Sequence, residues 1–235
     1  MMDIETAMNK VLKLTQLDDM KVFFTSDFHL NHSPKWPIPI WKSRGFDSVG
    51  EMNDSIIKSV NDAVRSNDVL FFLGDFCLNT NEFQFEEFLS RIQCQNVYCL
   101  WGNHNSQLWN RYEKELLKLF ELCKIENPNE HIPTEIYPVR YRNLVFLGNC
   151  VEVMVDGKYF ILNHYAQSTW NYMSKGSCMC HGHSHGNLKT SLPNALNYGK
   201  ILDVSWDVFK KPISSNEILS IINKKQIIIV DHHQN

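Results

Sequence analysis

No apolar run in this chain approaches the ~20 residues that a membrane-spanning helix needs. The first ten residues, MMDIETAMNK, carry no basic segment followed by an apolar stretch, so they do not read as a signal peptide. No basic run is present either. Lys210–Lys211 and Lys224–Lys225 are only pairs, and the net charge is −3. Such a charge offers no long-range attraction to a polyanion, which argues against long nucleic acid as a partner. The seven cysteines (Cys77, Cys94, Cys99, Cys123, Cys150, Cys178 and Cys180) lack regular spacing, and most sit inside apolar segments such as "NVYCLW". They read as reduced core residues of a cytoplasmic protein, not as a disulfide framework. Internal repeats, low-complexity tracts and linkers are also missing.

What remains is ordinary globular material: 235 residues, 43% apolar and 21% charged. That length supports one substantial core. A single domain over 1–235 is expected, with 1–20 as an N-terminal helical extension. In residues 4 to 14, Ile4, Ala7, Met8, Val11 and Leu12 recur at helical spacing. "KVFFT" (21–25) reads as a buried strand, and the proline- and aromatic-rich 31–46 as a loop. Ser48-Val-Gly-Glu51 is a capping-box pattern, followed by Met52, Ile56, Val60 and Val64 at every fourth position. "DVLFFLGD" (68–75) and "NVYCLWGN" (96–103) are strand patterns; 82–93 and 106–122 are helical patterns. After Pro138 the chain turns mostly to strands. "LVFLGNCVEVMVDGKYFILNH" gives three, with Asp156-Gly157 as a hairpin turn. "GSCMCHGH", "KILDVSW" and "QIIIV" add more, and a second capping box, Ser214 to Glu217, opens a helix through Ile222. The expected fold class is α/β (α+β): two sheets in one domain with helices outside.

The chemistry collects where the strands end. "KVFFTS" runs into Asp27-Phe-His29, "DVLFFLG" into Asp75, and "NVYCLWG" into Asn103-His104. "KYFILN" runs into His164, and "SCMC" into His181-Gly-His183-Ser-His185. Ligands in sheet proteins of this class sit beyond the carboxyl ends of strands, so these ends are expected to converge. In an extended segment residues two apart share a side, which would aim Asp27 with His29, and His183 with His185, at one point. Gly74, Gly102 and Gly182 each precede a candidate ligand, where a glycine permits a sharp bend and close approach. Each motif alone is weak: a strand end, a turn or a core histidine explains it. Five in sequence, each after an apolar strand, point to one site.

The order DxH (27–29), GD (74–75), GNH (102–104), H (164), GHxH (182–185) resembles that of the calcineurin-like metallophosphoesterases. The resemblance covers Lys21 to Val230. It extends to the tail of small bacterial and phage members, here "HYAQSTWN", "HGHSHGN" and "LDVSWDVFKKPISSNEI". It implies a two-sheet β-sandwich flanked by helices, a four-layer fold. It further implies a dinuclear metal centre: Asp27, His29, Asp75 and His185 on one ion, Asp75, Asn103, His164 and His183 on the other. This mixed oxygen and imidazole set suits Mn²⁺, Fe, Zn²⁺, Co²⁺ or Ni²⁺ better than Ca²⁺, with Mn²⁺ favoured. The implied reaction is hydrolysis of a small phosphomonoester or phosphodiester, a nucleotide among the candidates. The metal pair activates a hydroxide, and His104 serves as general acid.

Three other readings stay open at this level. One is a local zinc knot from Cys178, Cys180, His181 and His183, although C-x-C-H-x-H is tighter than the usual spacing and leaves Asp27, Asp75 and Asn103 unexplained. The fold also hosts catalytically silent scaffolds for protein interaction. A nuclease is the third. Two departures from the family pattern matter: Asn105 follows GNH where an acidic residue that orients the catalytic histidine is usual, which would leave His104 less basic, and no histidine-rich run follows Trp170, which bears on substrate choice. Asn31, His32 and Arg44 are candidate substrate contacts, Arg44 as a phosphate partner. Trp36, Trp41, Tyr165 and Trp170 are candidate pocket walls, and His181 a supporting or substrate-contacting residue.

Overall fold

Val22–Thr25 (β2) and Val69–Phe72 (β3) are buried on both faces, as parallel strands covered above and below must be. The computed structural model describes residues 11–16, 19–33, 38–78, 80–104, 139–141, 143–188 and 199–229. Within them β2 and β3 lie beside Asn96–Cys99 (β4) in a six-stranded sheet of order β11-β2-β3-β4-β6-β5. Strands β2, β3, β4 and β6 (Leu144–Phe146) run parallel; β5 (Val139–Tyr141) and β11 (Ile213–Ser214) close the edges antiparallel. The second sheet has five strands among the described residues, in the order β1 (Val11–Leu14), β7, β8, β9, β10. Here β7 (Cys150–Val155) and β8 (Lys158–Asn163) form a hairpin, and β9 (Cys178–His181) and β10 (Ile201–Asp203) continue parallel to β8. Asp156 and Gly157 turn that hairpin with φ of 48° and 73°, the left-handed geometry of its turn type.

Alternation along the strands divides the apolar residues into three layers. Val22, Phe24, Val69 and Phe71 of the first sheet meet Val153, Phe160, Leu162, Cys178 and Cys180 of the second. Phe23, Leu70, Phe72 and Val97 face the other way, onto helices α2 (Val49–Ala63) and α3 (Glu82–Arg91). Ile161 and Met179 form the far face of the second sheet with Trp170 and Met173. The two-sheet sandwich with outer helices is therefore as expected.

Met52, Ile56 and Val60 of α2 and the adjoining Val64 are buried, matching their fourfold repeat. Ser48 caps α2 by accepting from the Glu51 N–H, but Glu51 accepts from the Asp47 N–H rather than that of Ser48. The reciprocal box is complete at Ser214–Glu217, which starts α5 (Ser215–Ile222), and at Asn81–Gln84, which starts α3.

Three expectations need correction. Val11–Leu14 is an edge strand, β1, paired in parallel with β7, not the end of a helix. Leu12 and Leu14 also alternate, and the sheet edge uses that period by packing both against the inter-sheet core. Within 31–46, Ile40–Ser43 is one helical turn, α1. Residues 226–229 join no ladder among the described residues; Ile228 leans on the Met179 cluster instead. Helix α4 (Trp206–Phe209) follows β10. The helices expected over 4–10 and 106–122 lie outside the described residues, as do Trp36 and Asn105.

Candidate metal centre

Both sheets end at the same pole. An isolated parallel bridge, Ser26 to Ser205, ties the end of β2 to the segment after β10, and the Trp206 N–H donates to the Ser26 carbonyl at 2.9 Å. The strand ends of β2, β3, β4, β8 and β9 thus deliver their polar residues to one place.

The geometry there is close. Asp75 Oδ2 is 3.4 Å from His164 Nε2 and 3.7 Å from His29 Nε2. Asp27 Oδ1 is 3.7 Å from both His29 Nε2 and His185 Nε2. Asn103 Oδ1 lies 2.9 Å from His164 Nε2 and 2.9 Å from His183 Nδ1. Two triplets, Asp27–His29–His185 and Asp27–Asp75–His164, place one ligand atom of each residue within 4.8 Å of the others. Asp27, His29, Asp75 and His164 form a buried floor; Asn103 and His183 stand exposed at the mouth.

The motif residues are not extended. Asp27, His29, Asp75, His183 and His185 have φ between 47° and 65°. Each such non-glycine residue costs on the order of 1–3 kcal/mol, which the surrounding bonds must hold. The Asp27 N–H donates to the Gly74 carbonyl and the His29 N–H to that of Asp75, both at 3.0 Å. Asp27 and His29 do meet, but through left-handed turns, not a pleat; His183 and His185 part, His183 toward Asn103 and His185 toward Asp27. Two glycines make room for the carboxylates. A Cβ on Gly102 would lie 2.1 Å from Asp75 Oδ1, and one on Gly182 would lie 2.3 Å from Asp27 Oδ2.

The donor set fits a divalent cation. Asp27 Oδ1 and His29 Nε2 are buried without a hydrogen-bond partner, a cost that a cation between them would remove. Asp27 is held below the usual carboxylate range; burial opposes its charge, but His29, His185 and His164 outweigh it. Asp75 is lowered likewise against burial, through His164 and the His104 N–H, which donates to its Oδ1 at 2.8 Å. Burial works against protonation of His164 and His185 as well, yet Asp75 and Asp207 raise them. Burial is the main cause of the lowered values at His29 and His183. His164 Nδ1 is 2.8 Å from the Leu73 carbonyl, which orients the ring and leaves Nε2 facing the site.

The family model for calcineurin-like phosphoesterases matches residues 20–235. The chain belongs to the calcineurin-like phosphoesterase family. Family and Asp/His clusters together support a metal-dependent phosphoesterase. Uncharacterized protein MJ1445 of Methanocaldococcus jannaschii is 25% identical over 209 residues, covering 88% of this chain and 94% of the relative. A solved structure, a protein of unknown function, AQ665, from Aquifex aeolicus, is similar with a TM-score of 0.55 at 18% identity. That match covers 87% of this chain and 100% of the other, and it speaks for the fold.

In this family member the cysteines of "CMCHGHSHG" belong to the core. Cys178 and Cys180 point between the sheets, whereas strand alternation puts His181 on the opposite face. His181 Nδ1 is 2.8 Å from the Gly182 carbonyl. A local zinc knot from these residues is therefore geometrically closed off. Burial pushes the Cys77 and Cys94 thiols up to about 11, so they are inert.

The candidate substrate contacts divide. His32 stands by the site, its ring 5.2 Å from His29 and 6.0 Å from His104. Burial, then the charges of His29, His104 and Arg44, push it down to about 4. The Asn31 N–H donates to Asn53 Oδ1 at 3.0 Å, anchoring the turn after His29. The Arg44 side chain is buried, not solvated, and its guanidinium is engaged by Asp207 and by the Asp27 and Phe28 carbonyls. Tyr165 is exposed at the mouth, 4.7 Å from the His183 ring. Trp41 packs against the α2 side of the core, and Trp170 lies on the far face of the second sheet.

Two residues escaped the sequence reading. Asp203 Oδ2 accepts from Ser184 Oγ at 2.7 Å and from the Gly186 N–H at 2.8 Å, bracing the loop that carries His183 and His185. Asp207 Oδ2 lies 2.5 Å from His185 Nδ1. The signal was available. "KILDVSW" is a further strand pattern, and acidic residues sit at and just beyond its end.

Proposed function

We propose that this protein hydrolyses a small phosphate ester with two divalent cations, Mn²⁺ favoured, held by Asp27, His29, Asp75, Asn103, His164, His183 and His185. The observation that carries this reading is Asp75 Oδ2, which lies within 3.7 Å of His29 and 3.4 Å of His164, histidines from opposite sheets. A carboxylate so placed bridges the two halves of the donor set. When bound, the cations would supply charge neutralisation for the phosphoryl oxygens and lower the pKa of water at the site. Imidazole nitrogens beside carboxylate and amide oxygens select transition metals over Ca²⁺.

The chain's own groups do the rest. His104 enters with its backbone N–H on Asp75, so its ring is referenced to the bridging carboxylate; it is the general acid that protonates the leaving oxygen. The exposed face of Tyr165 offers a wall for a ring or base on the substrate. The net charge of −3 and lack of a basic run favour a small substrate over a long nucleic acid.

Metal-stripped protein refilled with Mn²⁺ is assayed on bis-p-nitrophenyl phosphate and on the matching monoester, with Asp75→Asn in parallel. Metal-dependent turnover lost in Asp75→Asn is the expected result. Turnover that persists in Asp75→Asn, or that needs no metal, would overturn the proposal.

A further inference from the structure

We infer that Asp207, clamped by Arg44, is a positioning residue that fixes the tautomer and aim of His185 and so sets the cation affinity of that side of the site. The inference rests on the metal reading above and assigns two residues that the reading does not use.

A carboxylate only accepts, so its 2.5 Å contact puts the proton on His185 Nδ1. The lone pair of Nε2 then faces Asp27 Oδ1, 3.7 Å away. Asp207 is itself held by a fork: Arg44 Nε donates to Oδ1 at 2.8 Å and Arg44 Nη2 to Oδ2 at 2.6 Å. The same guanidinium donates to the Asp27 carbonyl and the Phe28 carbonyl, both at 2.7 Å. Its Nη1 also reaches Met52 Sδ at 3.6 Å. One buried cation therefore ties the carboxylate behind His185 to the backbone of Asp27, the residue that faces His185 across the site. Arg44 also lies over the Trp206 ring at 5.3 Å, and Trp206 Nε1 donates to Ser59 Oγ on α2 at 3.0 Å. Helix α2, the β2 end and α4 are thus braced against one another through this clamp. Outer partners of ligating imidazoles raise ligand basicity and restrict rotation, and losing one typically lowers metal affinity about 10–100-fold.

The test is a calorimetric Mn²⁺ titration of metal-free wild type, Asp207→Asn and Arg44→Lys. One of two sites is expected to weaken about 10–100-fold in Asp207→Asn, with the other unchanged. Arg44→Lys, which keeps the charge and loses the fork, should fall between. Asp207→Asn that matches wild type at both sites, or weakens both equally, overturns the inference alone. Wild type that takes up no Mn²⁺ overturns the metal reading and this inference with it. If Asp207→Asn does not fold, nitrogen-15 NMR of the Zn²⁺-loaded wild type decides: His185 protonated at Nδ1 supports the clamp, and protonation at Nε2 overturns it.

Discussion

Phe24 stacks on Phe160 across the space between the two sheets, with ring centroids 5.1 Å apart. Phe24 precedes Asp27 on the β2 path, and Phe160 precedes His164 on β8. Phe71 continues the stack from β3, 5.4 Å from Phe24. The aromatic column lies between the strands that lead into Asp27, Asp75 and His164.

Phe24→Ala should therefore cost about 3–5 kcal/mol of stability, since the cavity would open where both sheets meet. Phe83, 75% exposed on α3, is the control, and its change to alanine should stay within about 0.5 kcal/mol. Urea unfolding of the chelated proteins measures both. Equal effects at the two positions would mean that the column does not carry the load assigned to it.

His104→Ala is expected to slow hydrolysis according to the leaving group. A general acid contributes about 10²–10⁴-fold where the departing oxygen needs a proton. Phenyl and alkyl esters should lose activity in that range, and p-nitrophenyl esters much less. A uniform loss across leaving groups would instead assign His104 to charge stabilisation.

Cys178→Ala and Cys180→Ala should lower the unfolding midpoint by an amount worth about 1 kcal/mol each and leave metal content intact. Both side chains lie in the inter-sheet core, their sulfurs 3.7 Å apart. Metal analysis beside thermal melting reads the two effects separately. Loss of one ion per chain in either variant would restore the zinc-knot reading.

Glu217 supplies a pH-dependent term. Burial opposes its charge, but Lys211 and the Ser214 hydroxyl and N–H hold its carboxyl down to about 2. A depressed carboxylate contributes stability above its unfolded value, near 4.5, and loses it as pH falls toward 2. The advantage of wild type over Glu217→Gln should be constant above about pH 5 and shrink through that window. The contribution is small because the carboxylate is partly exposed and screened. Urea midpoints across the pH series, with chelator present, test this; a gap that widens on acidification would reverse the assignment.

Much of this architecture is visible in local patterns. The buried strands announce themselves as short apolar runs, and each metal-binding motif follows one of them directly. Ser214–Glu217 is a local capping device, so its pattern and its geometry agree. Glu51 shows the limit: a neighbouring N–H, that of Asp47, competes for the same carboxylate. Leu12 belongs to both a helical and an alternating pattern, and a sheet edge far along the chain chooses between them. Ile227 to Ile229 look like a strand, yet they join no described ladder, and Ile228 packs as a side chain against the Met179 cluster instead.

By itself the sequence determined which residues end the strands, in what order, and hence the family and the donor types. That information is local, carried by hydrophobic period and by the residue that breaks it. Only the tertiary structure decided that Asp27 and His29 meet through left-handed turns, that Cys178 and Cys180 turn away from His181, and that Arg44 serves Asp207 and the Asp27 backbone. Those choices depend on contacts between residues up to 163 positions apart, such as Arg44 with Asp207. No periodicity records a contact of that kind; it exists only once two sheets have packed and their ends have met.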